Sequence, residues 1–334
     1  MGVTIVDIAK RLGISDSTVS RVLNKKKDNF ISDATRKKVL TAAEEMGYRP
    51  NKLACALVTG RSHTIAFWVS GARTHYYTEM TYRLQDRLRE DGYDLVTEST
   101  RGENAWNWQV PSLQWPFDGI ILCDPPFSQE DFQKEYGHRN IPWISLGVFS
   151  WDSGDRIGID LYAGAKKALE HLRQFGRRIA FVAPPTSEPV DPRHRAYLTL
   201  MDEAGLAPEI ITIPNFQRSP ARKAIRDHIA KHGCPKGIFC FNDNVAIGVH
   251  RGLRDLGLRM PKDVALVGCD GIEDTEYHDP AISTIDMNLD RMCDQAWAFL
   301  HRRIMDPSVP AQHLMLKPKL VIRESSDFRK GIRS

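Results

Sequence analysis

Long apolar runs are missing from this chain: none approaches the roughly 20 residues that cross a bilayer, so no membrane segment is expected. The opening Met1-Gly2-Val3-Thr4 lacks a charged stretch followed by an apolar one, so no secretory signal is expected and the chain reads as cytoplasmic. Cysteine is sparse. Cys55, Cys123, Cys234, Cys240, Cys269 and Cys293 stand without CxxC or Cys/His spacing, the pattern of free thiols in a reducing compartment rather than of disulfides or a metal site. No GxGxxG follows an apolar run and no Walker-type glycine loop occurs, so a nucleotide enzyme lacks its phosphate cradle. A GxSxG elbow is also absent, and the 11 histidines include no HExxH. These absences argue against catalysis, and neither cofactor nor metal is expected.

What is present is a soluble globular composition, 42% hydrophobic and 26% charged. At 334 residues the chain is too long for one ordinary core, which favours a small module joined to a two-lobed body. The formal charge of +4 is unevenly spread. Residues 1–60 carry 11 Lys/Arg against 6 Asp/Glu, and the remainder carries 35 against 36. A basic head on a neutral body suits a polyanionic partner.

In the head, Thr4 can cap a helix with Ile5, Ile8 and Leu12 on one face and Asp7 in its first turn. Gly13 follows the last periodic residue, where a left-handed stop is needed. Ser15 then caps a second helix, Asp16 to Leu23, with Val19 and Val22 turned inward beside Ile14. Two short helices about a glycine turn make a helix-turn-helix. A third helix starts at Ser32, is expected to bury Val39, Leu40, Ala43 and Met46, and stops at Gly47. The polar face of the second helix carries Asp16, Ser17, Ser20 and Arg21. Arg suits guanine O6/N7, and Ser contacts bases or phosphates. Asp16 can accept from cytosine N4 or simply favour the helix N-terminus.

The run from Val3 to Asn24, Ser32-Asp33-Ala34-Thr35-Arg36, and Gly47-Tyr48-Arg49-Pro50-Asn51-Lys52-Leu53-Ala54 resemble the DNA-binding head of the lactose/galactose repressor family. The resemblance implies that Thr4, Ser15, Asp16, Ser17, Ser20, Arg21, Asn24, Ser32, Thr35, Asn51, Ala54 and Leu57 face operator DNA. It also implies a hinge helix, Asn51 to Thr59, that orders on DNA and wedges Leu57 into the minor groove. Small Ala54 and Ala56 suit close packing there, and an apolar side chain can unstack a base step. The loop Lys25 to Phe30 is about two residues longer than usual for the family, and its lysines are expected on phosphates.

From Thr64 onward, short apolar strands alternate with amphipathic helices. Strands read at Ile65–Ser70, Tyr93–Glu98, Gly119–Asp124 and Trp143–Gly147, then at Arg178–Pro184, Glu209–Pro214, Gly237–Asn242 and Val264–Asp270. Helices read at Glu79–Asp91, Tyr162–Phe175, Arg195–Ala204, Ser219–His232 and Asn244–Leu256. This alternation implies parallel sheets covered on both faces, and two sets imply two lobes with ligand at the strand C-terminal ends.

The family resemblance continues through Ile159-Asp160, Phe241 to Gly248, Gly257 to Val264, Gly268-Cys269-Asp270 and Pro280 to Ile285. It implies a fold of a small all-α helix-turn-helix head plus an α/β body of two doubly wound parallel-sheet lobes, like a periplasmic binding protein. The expected division is a DNA-binding domain over 1–48, a hinge and linker over 49–60, and an effector-binding and dimerisation core over 61–334. Within the core, one lobe takes 61–158 and 287–317, the other 159–286 and 318–326. The family's effector residues fall on Arg193, Asn242 and Asp270, with Tyr76 of the Tyr76-Tyr77 pair able to stack on a sugar. Each has a structural alternative: Asn242 can cap a helix, Asp270 can sit in a turn, Tyr76 can pack in the core, and Arg195 competes with Arg193. Cys123, Gly147, Gly271 and Met287 stand where relatives carry polar residues, which predicts a pocket less polar on one side. Trp106, Trp108 and Trp151 can line it or belong to the core.

The expected function is a repressor of carbohydrate-utilisation genes, working as a homodimer on near-palindromic double-stranded operator DNA under a small carbohydrate effector. The end, Asp327 to Ser334, is too short and polar for a leucine heptad, so a dimer without a tail-driven tetramer is expected. A sugar-binding protein feeding a transporter, a sugar-modifying α/β enzyme and an activator on the same fold are the alternatives.

Overall fold

The structure is a computed structural model that describes residues 3–23, 31–48, 60–70, 74–100, 116–185 and 191–327. It divides into two units, 1–62 and 63–334.

In the first unit, α1 (Ile5–Leu12) opens with a reciprocal cap. The Thr4 hydroxyl accepts from the Asp7 amide, and the Asp7 carboxylate accepts from the Thr4 backbone N–H at 2.9 Å. Gly13 ends the helix at φ +65°, a left-handed conformation that a side chain would strain. α2 (Asp16–Leu23) follows the Ser15 cap, and α3 (Asp33–Glu45) follows the Ser32 cap. Their core is Ile8, Ala9, Val19, Val22, Val39, Ala42 and Ala43, with Ile14 and Met46 packed against it. Leu40, expected inside, is 53% exposed. The stripe of α3 runs through Val39, Ala42 and Ala43 at i, i+3 and i+4, and Leu40 lies one helical step, about 100°, round from it.

The second unit holds two six-stranded sheets among its described residues. The first contains β1 (Thr64–Val69), β2 (Asp94–Ser99), β3 (Gly119–Cys123), β4 (Trp143–Gly147), β5 (Asp155–Ile159) and β11 (His313–Leu316) in the order β11-β5-β4-β3-β1-β2, all parallel. The second contains β6 (Ile179–Ala183), β7 (Glu209–Thr212), β8 (Gly237–Cys240), β9 (Ala265–Asp270), β10 (Ser283–Asp286) and β12 (Lys319–Val321) in the order β12-β10-β9-β8-β6-β7. Only β12 runs antiparallel to its neighbour. The orders match over five strands of each sheet, and the lobes differ in the direction of the outer edge strand, parallel for β11 and antiparallel for β12. β3 and β6 are buried at every position, as strands covered on both faces must be.

The covering helices are α4 (His75–Glu90), α5 (Gln129–Tyr136), α6 (Leu161–Leu172), α7 (Pro192–Glu203), α8 (Arg218–His232), α9 (Asp243–Asp255) and α10 (Leu289–Met305). The chain passes between the sheets three times: from β5 into α6, from β10 into α10, and from β11 into β12. α10 docks on α4 through Arg83–Asp290 and Arg87–Asp294, and the Trp297 indole donates to Asp91 at 2.7 Å. β5, α5, α10, β11 and β12 lie outside the strands and helices read from the sequence. Trp151 belongs to the core: its indole donates to the Phe127 carbonyl at 3.3 Å and its ring packs on Phe132 and Trp143. No helix among the described residues is long and apolar enough to cross a membrane.

Candidate DNA-reading face and effector cleft

In the head, three of the expected DNA-facing hydroxyls serve as helix caps. Thr4 accepts from Asp7, Ser15 from the Thr18 amide at 3.2 Å, and Ser32 from the Thr35 amide at 3.2 Å. Ser15 also shares a hydrogen bond with Ser17 at 2.9 Å, and Ser32 with the Thr35 hydroxyl at 2.9 Å. Asp16, Ser17 and Arg21 are exposed on α2 and Ser20 is half-buried, so the polar face opposes the Val19/Val22 stripe. Such a face presents donors and acceptors to a groove while the stripe holds the helix on its partners. Asn24, Asn51, Ala54 and Leu57 lie outside the described residues, as do the Lys25 to Phe30 loop, Trp106, Trp108 and Phe328 to Ser334.

In the body, the C-terminal ends of β3, β8 and β9 and the N-termini of α4, α7 and α9 bring polar side chains together. Arg193, only 7% exposed, is gripped bidentately by Asp191: Nε donates to Oδ1 at 2.9 Å and Nη2 to Oδ2 at 2.8 Å. Asp191 also caps α7 by accepting from the Arg193 amide at 2.8 Å. Nη1 donates to the Phe241 carbonyl at 2.7 Å, and the guanidinium lies 3.6 Å over the Phe241 ring. Burial alone would raise the Asp191 carboxyl; the charge and hydrogen bonds of Arg193 overcome it and hold the group below its ordinary range. The Arg195 guanidinium lies 4.8 Å over the Tyr162 ring.

Asn242 caps α9, its side-chain oxygen accepting from the Val245 amide at 2.9 Å. Asp270 ends β9 with φ at 133°, in a region that favours glycine. Burial, with the negative charge of Asp243 added, pushes its carboxyl well above the ordinary range, against the pull of Arg193. Asp243 is fully buried and accepts from the Gly271 amide at 2.8 Å, the Ile272 amide at 3.0 Å and the Thr284 hydroxyl at 2.7 Å. Its carboxyl is pushed up to about 6 by burial, against these donors.

From the first lobe, Tyr76 is buried with its ring edge-on to Tyr77 at 5.2 Å. The Tyr77 hydroxyl donates to Asp124 at 3.1 Å and lies 2.8 Å from the Ser70 hydroxyl. Asp124 also accepts from the Phe149 amide at 3.0 Å, and burial raises its carboxyl. Burial also pushes the Tyr76 phenol well above its ordinary range.

The expectation of a less polar wall is corrected here. A Cβ added at Gly147, where φ is +103°, would meet the Asp124 carboxylate at 2.4 Å. A carboxylate from the end of β3 therefore fills the space in front of β4. Met287 is buried in the core.

Two family models match the chain: bacterial regulatory proteins of the lacI family over residues 4–51, and the periplasmic binding protein-like domain over residues 169–326. The ribose operon repressor of Escherichia coli strain K12 is 30% identical over 330 residues, spanning 97% of this chain and 99% of its own length. The chain belongs to the lacI family of bacterial regulatory proteins. The lacI-family chain is also similar to the HTH-type transcriptional repressor PurR of Pasteurella multocida, 26% identical over 336 residues, with 98% of this chain and 99% of that one covered. Its fold is that of a lac repressor dimer solved on operator with the anti-inducer ONPF: TM-score 0.78, 22% identity, 98% of this chain and 99% of that one covered. It is thus a DNA-binding transcriptional repressor with an effector-binding domain, and not an enzyme.

Asp124, Asp191 and Asp243 are cleft residues of this lacI-family repressor that sequence reasoning passed over. Asp191 stood in plain view two residues before Arg193, at the spacing by which an N-cap carboxylate reaches a side chain in the first helical turn. Asp124 is the last residue of the strand read at Gly119–Asp124, directly after the Cys123 that was compared with relatives. Asp243 is the second member of the Asn-Asp pair, and nothing in the sequence shows that it turns inward.

Proposed function

We propose that this repressor controls carbohydrate-utilisation genes by binding a near-palindromic operator as a homodimer, and that a small carbohydrate in the cleft between its lobes releases it. In this reading residues 1–48 bind DNA, 49–60 form the hinge, and 61–334 form the effector and dimerisation core. Arg21 and its neighbours on α2 read the major groove, with Asn24, Asn51, Ala54 and Leu57 completing the contact. Tyr76, Arg193, Asn242 and Asp270 form the effector site, with Tyr77 and Asp124 beside them.

The observation that carries the reading is the polar set at the C-terminal ends of the strands, with Arg193 held by Asp191 and the Phe241 carbonyl in one lobe and Asp124 held by Tyr77 and the Phe149 amide in the other. Carboxyl groups and a guanidinium suit paired hydroxyls. The tie to ribose in the name of one relative, and in the structure of an Enterococcus faecium lacI-family regulator with bound ribose, points the same way. A ligand bridging two lobes changes DNA affinity by favouring one lobe arrangement over the other.

The test is a thermal-shift and operator-titration panel of mono- and disaccharides, wild type beside Asp270→Ala. At least one sugar should stabilise the wild type and weaken its operator binding, while Asp270→Ala binds operator normally and ignores the sugar. An equal response of both chains would remove the site from this cleft. Stabilisation by no sugar would remove the carbohydrate.

A further inference from the structure

The Asn-Asp pair at the start of α9 divides between two tasks. Asn242 caps the helix, and the next side chain, Asp243, turns inward and is fully buried. Its Oδ2 accepts from the Gly271 amide at 2.8 Å and the Ile272 amide at 3.0 Å, and its Oδ1 lies 2.7 Å from the Thr284 hydroxyl. The Gly271 amide also reaches the Thr284 hydroxyl oxygen at 3.3 Å. Gly268 packs so closely that a Cβ there would sit 2.1 Å from Oδ1, so the carboxyl group fills the space over β9. One side chain thus joins the start of α9, the turn after β9 and strand β10.

The turn it holds is the one that carries Asp270. Asp270 takes φ 133°, which a residue with a side chain adopts only where its surroundings impose it, and Gly271 follows at +81°. The same turn is fastened to the chain's passage from β10 into α10. Asp270 pairs with Asp286 in the β9–β10 register, and its carbonyl accepts from the Met287 amide at 3.4 Å. A Cβ on Gly271 would meet the Asp286 Cα at 2.8 Å. The Asp286 carboxylate accepts from the Asn288 amide at 2.8 Å, and Asn288, at φ +56°, caps α10. Asp290 in the first turn of α10 then meets Arg83 at 3.0 Å, on the helix α4 that carries Tyr76. The other two passages between the sheets are fastened to each other: the Asp160 amide donates to the Leu316 carbonyl at 2.9 Å, and a Cβ on Gly164 would meet Pro318 at 2.7 Å.

We infer that Asp243 is a positioning residue for the effector response. Through the two amides it sets the turn that carries Asp270, and through Thr284 it binds that turn to the passage into α10. This rests on the cleft being the effector site. A ligand that pulls on Asp270 then moves β10 and the start of α10 with it, which ties ligand binding to the arrangement of the lobes and so to operator affinity. The clamp works in either state of charge: Oδ2 accepts from the amides in both, and Oδ1 can accept from the Thr284 hydroxyl or donate to it. An asparagine offers the same pattern, its oxygen to the amides and its NH2 to the hydroxyl.

The sugar panel run on the full chain with Asp243→Asn, Asp243→Ala and Thr284→Val tests this. A sugar that binds the wild type should bind Asp243→Asn within about threefold, and Asp243→Ala about tenfold or more weakly. Thr284→Val keeps both amide bonds, so it should bind sugar and operator, each alone, within about threefold of the wild type. Saturating sugar should nevertheless shift its operator affinity by less than about threefold, against about tenfold or more in the wild type. A role in stability alone would lower the urea midpoint and leave that ratio in place. An unchanged ratio in Thr284→Val overturns the inference, as does an Asp243→Asn that binds no better than Asp243→Ala. Amide hydrogen exchange supplies a readout without sugar. Asp243→Ala should speed exchange over 270–273 and 286–289 together, and Thr284→Val over 286–289, with α8 unchanged. Unchanged exchange over 286–289 overturns the link to the passage. Should Asp243→Ala not fold, Thr284→Val decides both measurements. Faster exchange at 286–289 with no sugar bound to the wild type removes the carbohydrate reading and supports the clamp.

Discussion

Breaking the Arg193–Asp191 pair should cost far more than breaking any surface ion pair of this protein. Both side chains are nearly out of solvent, at 8% and 13% exposed, and the contact is bidentate at 2.9 and 2.8 Å. Arg193→Met strands a buried carboxylate, while Asp191→Asn strands a buried guanidinium but keeps the helix cap. Removing one partner of a buried pair typically costs about 3–5 kcal/mol, because the remaining charge is uncompensated. The double variant leaves no stranded charge, so it should recover about 2–3 kcal/mol relative to the sum of the singles. Lys223–Asp227, exposed at 79% and 61%, is the control, worth about 0.5 kcal/mol or less. Urea denaturation of the four chains in each cycle, followed by tryptophan fluorescence, reads these differences. Additive singles of under about 1 kcal/mol each would refute the reasoning, since they would mean that solvent already screens the pair. The result also bears on function: loss of effector response in Arg193→Ala would report this lost support as much as a lost ligand contact.

Other consequences follow from single features. Arg21→Ala should weaken operator binding by about 1–3 kcal/mol and relax preference at one base pair, as read by affinity across operator variants; an even loss on all sequences would make Arg21 a phosphate contact. Gly248→Ala would put a Cβ 2.2 Å from the Arg218 carbonyl oxygen where α8 crosses α9, so it should cost roughly 1–3 kcal/mol or more. Gly119→Ala meets only the movable ends of Leu300 and Ile304 at 3.1–3.2 Å and should cost less; a reversed order of urea midpoints would contradict the packing. His250, buried against His278 with ring centroids 5.2 Å apart, is held down to about 4 by burial and by that neighbour. It stays neutral when folded and gains a proton on unfolding. Its contribution is therefore complete above the unfolded value of about 6.5 and is lost as pH falls toward 4. His250→Leu should lose less stability than wild type on acidification, with the opposite slope of the raised Asp243 common to both chains; equal acid losses would contradict this.

The parts of the fold that were legible were those fixed by local chemistry. Thr4, Ser15 and Ser32 mark helix starts because hydroxyl caps leave a sequence signature, and Gly13 and Gly47 mark stops because they must take positive φ. The buried strands β1, β3, β4, β6, β8 and β9 stood out as continuous apolar runs. β5 and β11 did not, because Asp155, Arg156 and His313 interrupt the run: Asp155 is buried by pairing with Arg303 and Gln312, and Arg156 reaches His313. Neither partner of such a long-range pair announces the other in sequence. The cleft shows the same limit. The family resemblance points to Asn242 and Asp270, but nothing local shows that Asp243 turns inward to the Gly271 and Ile272 amides or that Asp124 fills the space before Gly147. Those are facts of tertiary packing that no local rule supplies.

The most direct test of the central claim is to select bound sequences from random DNA with the full chain, then to measure affinity for the selected operator with and without each sugar of the panel. The account predicts a near-palindromic sequence and at least one sugar that weakens its binding by about tenfold or more, a coupling of about 1.4 kcal/mol. Enrichment of an asymmetric site, or an operator affinity that no sugar alters, would contradict it.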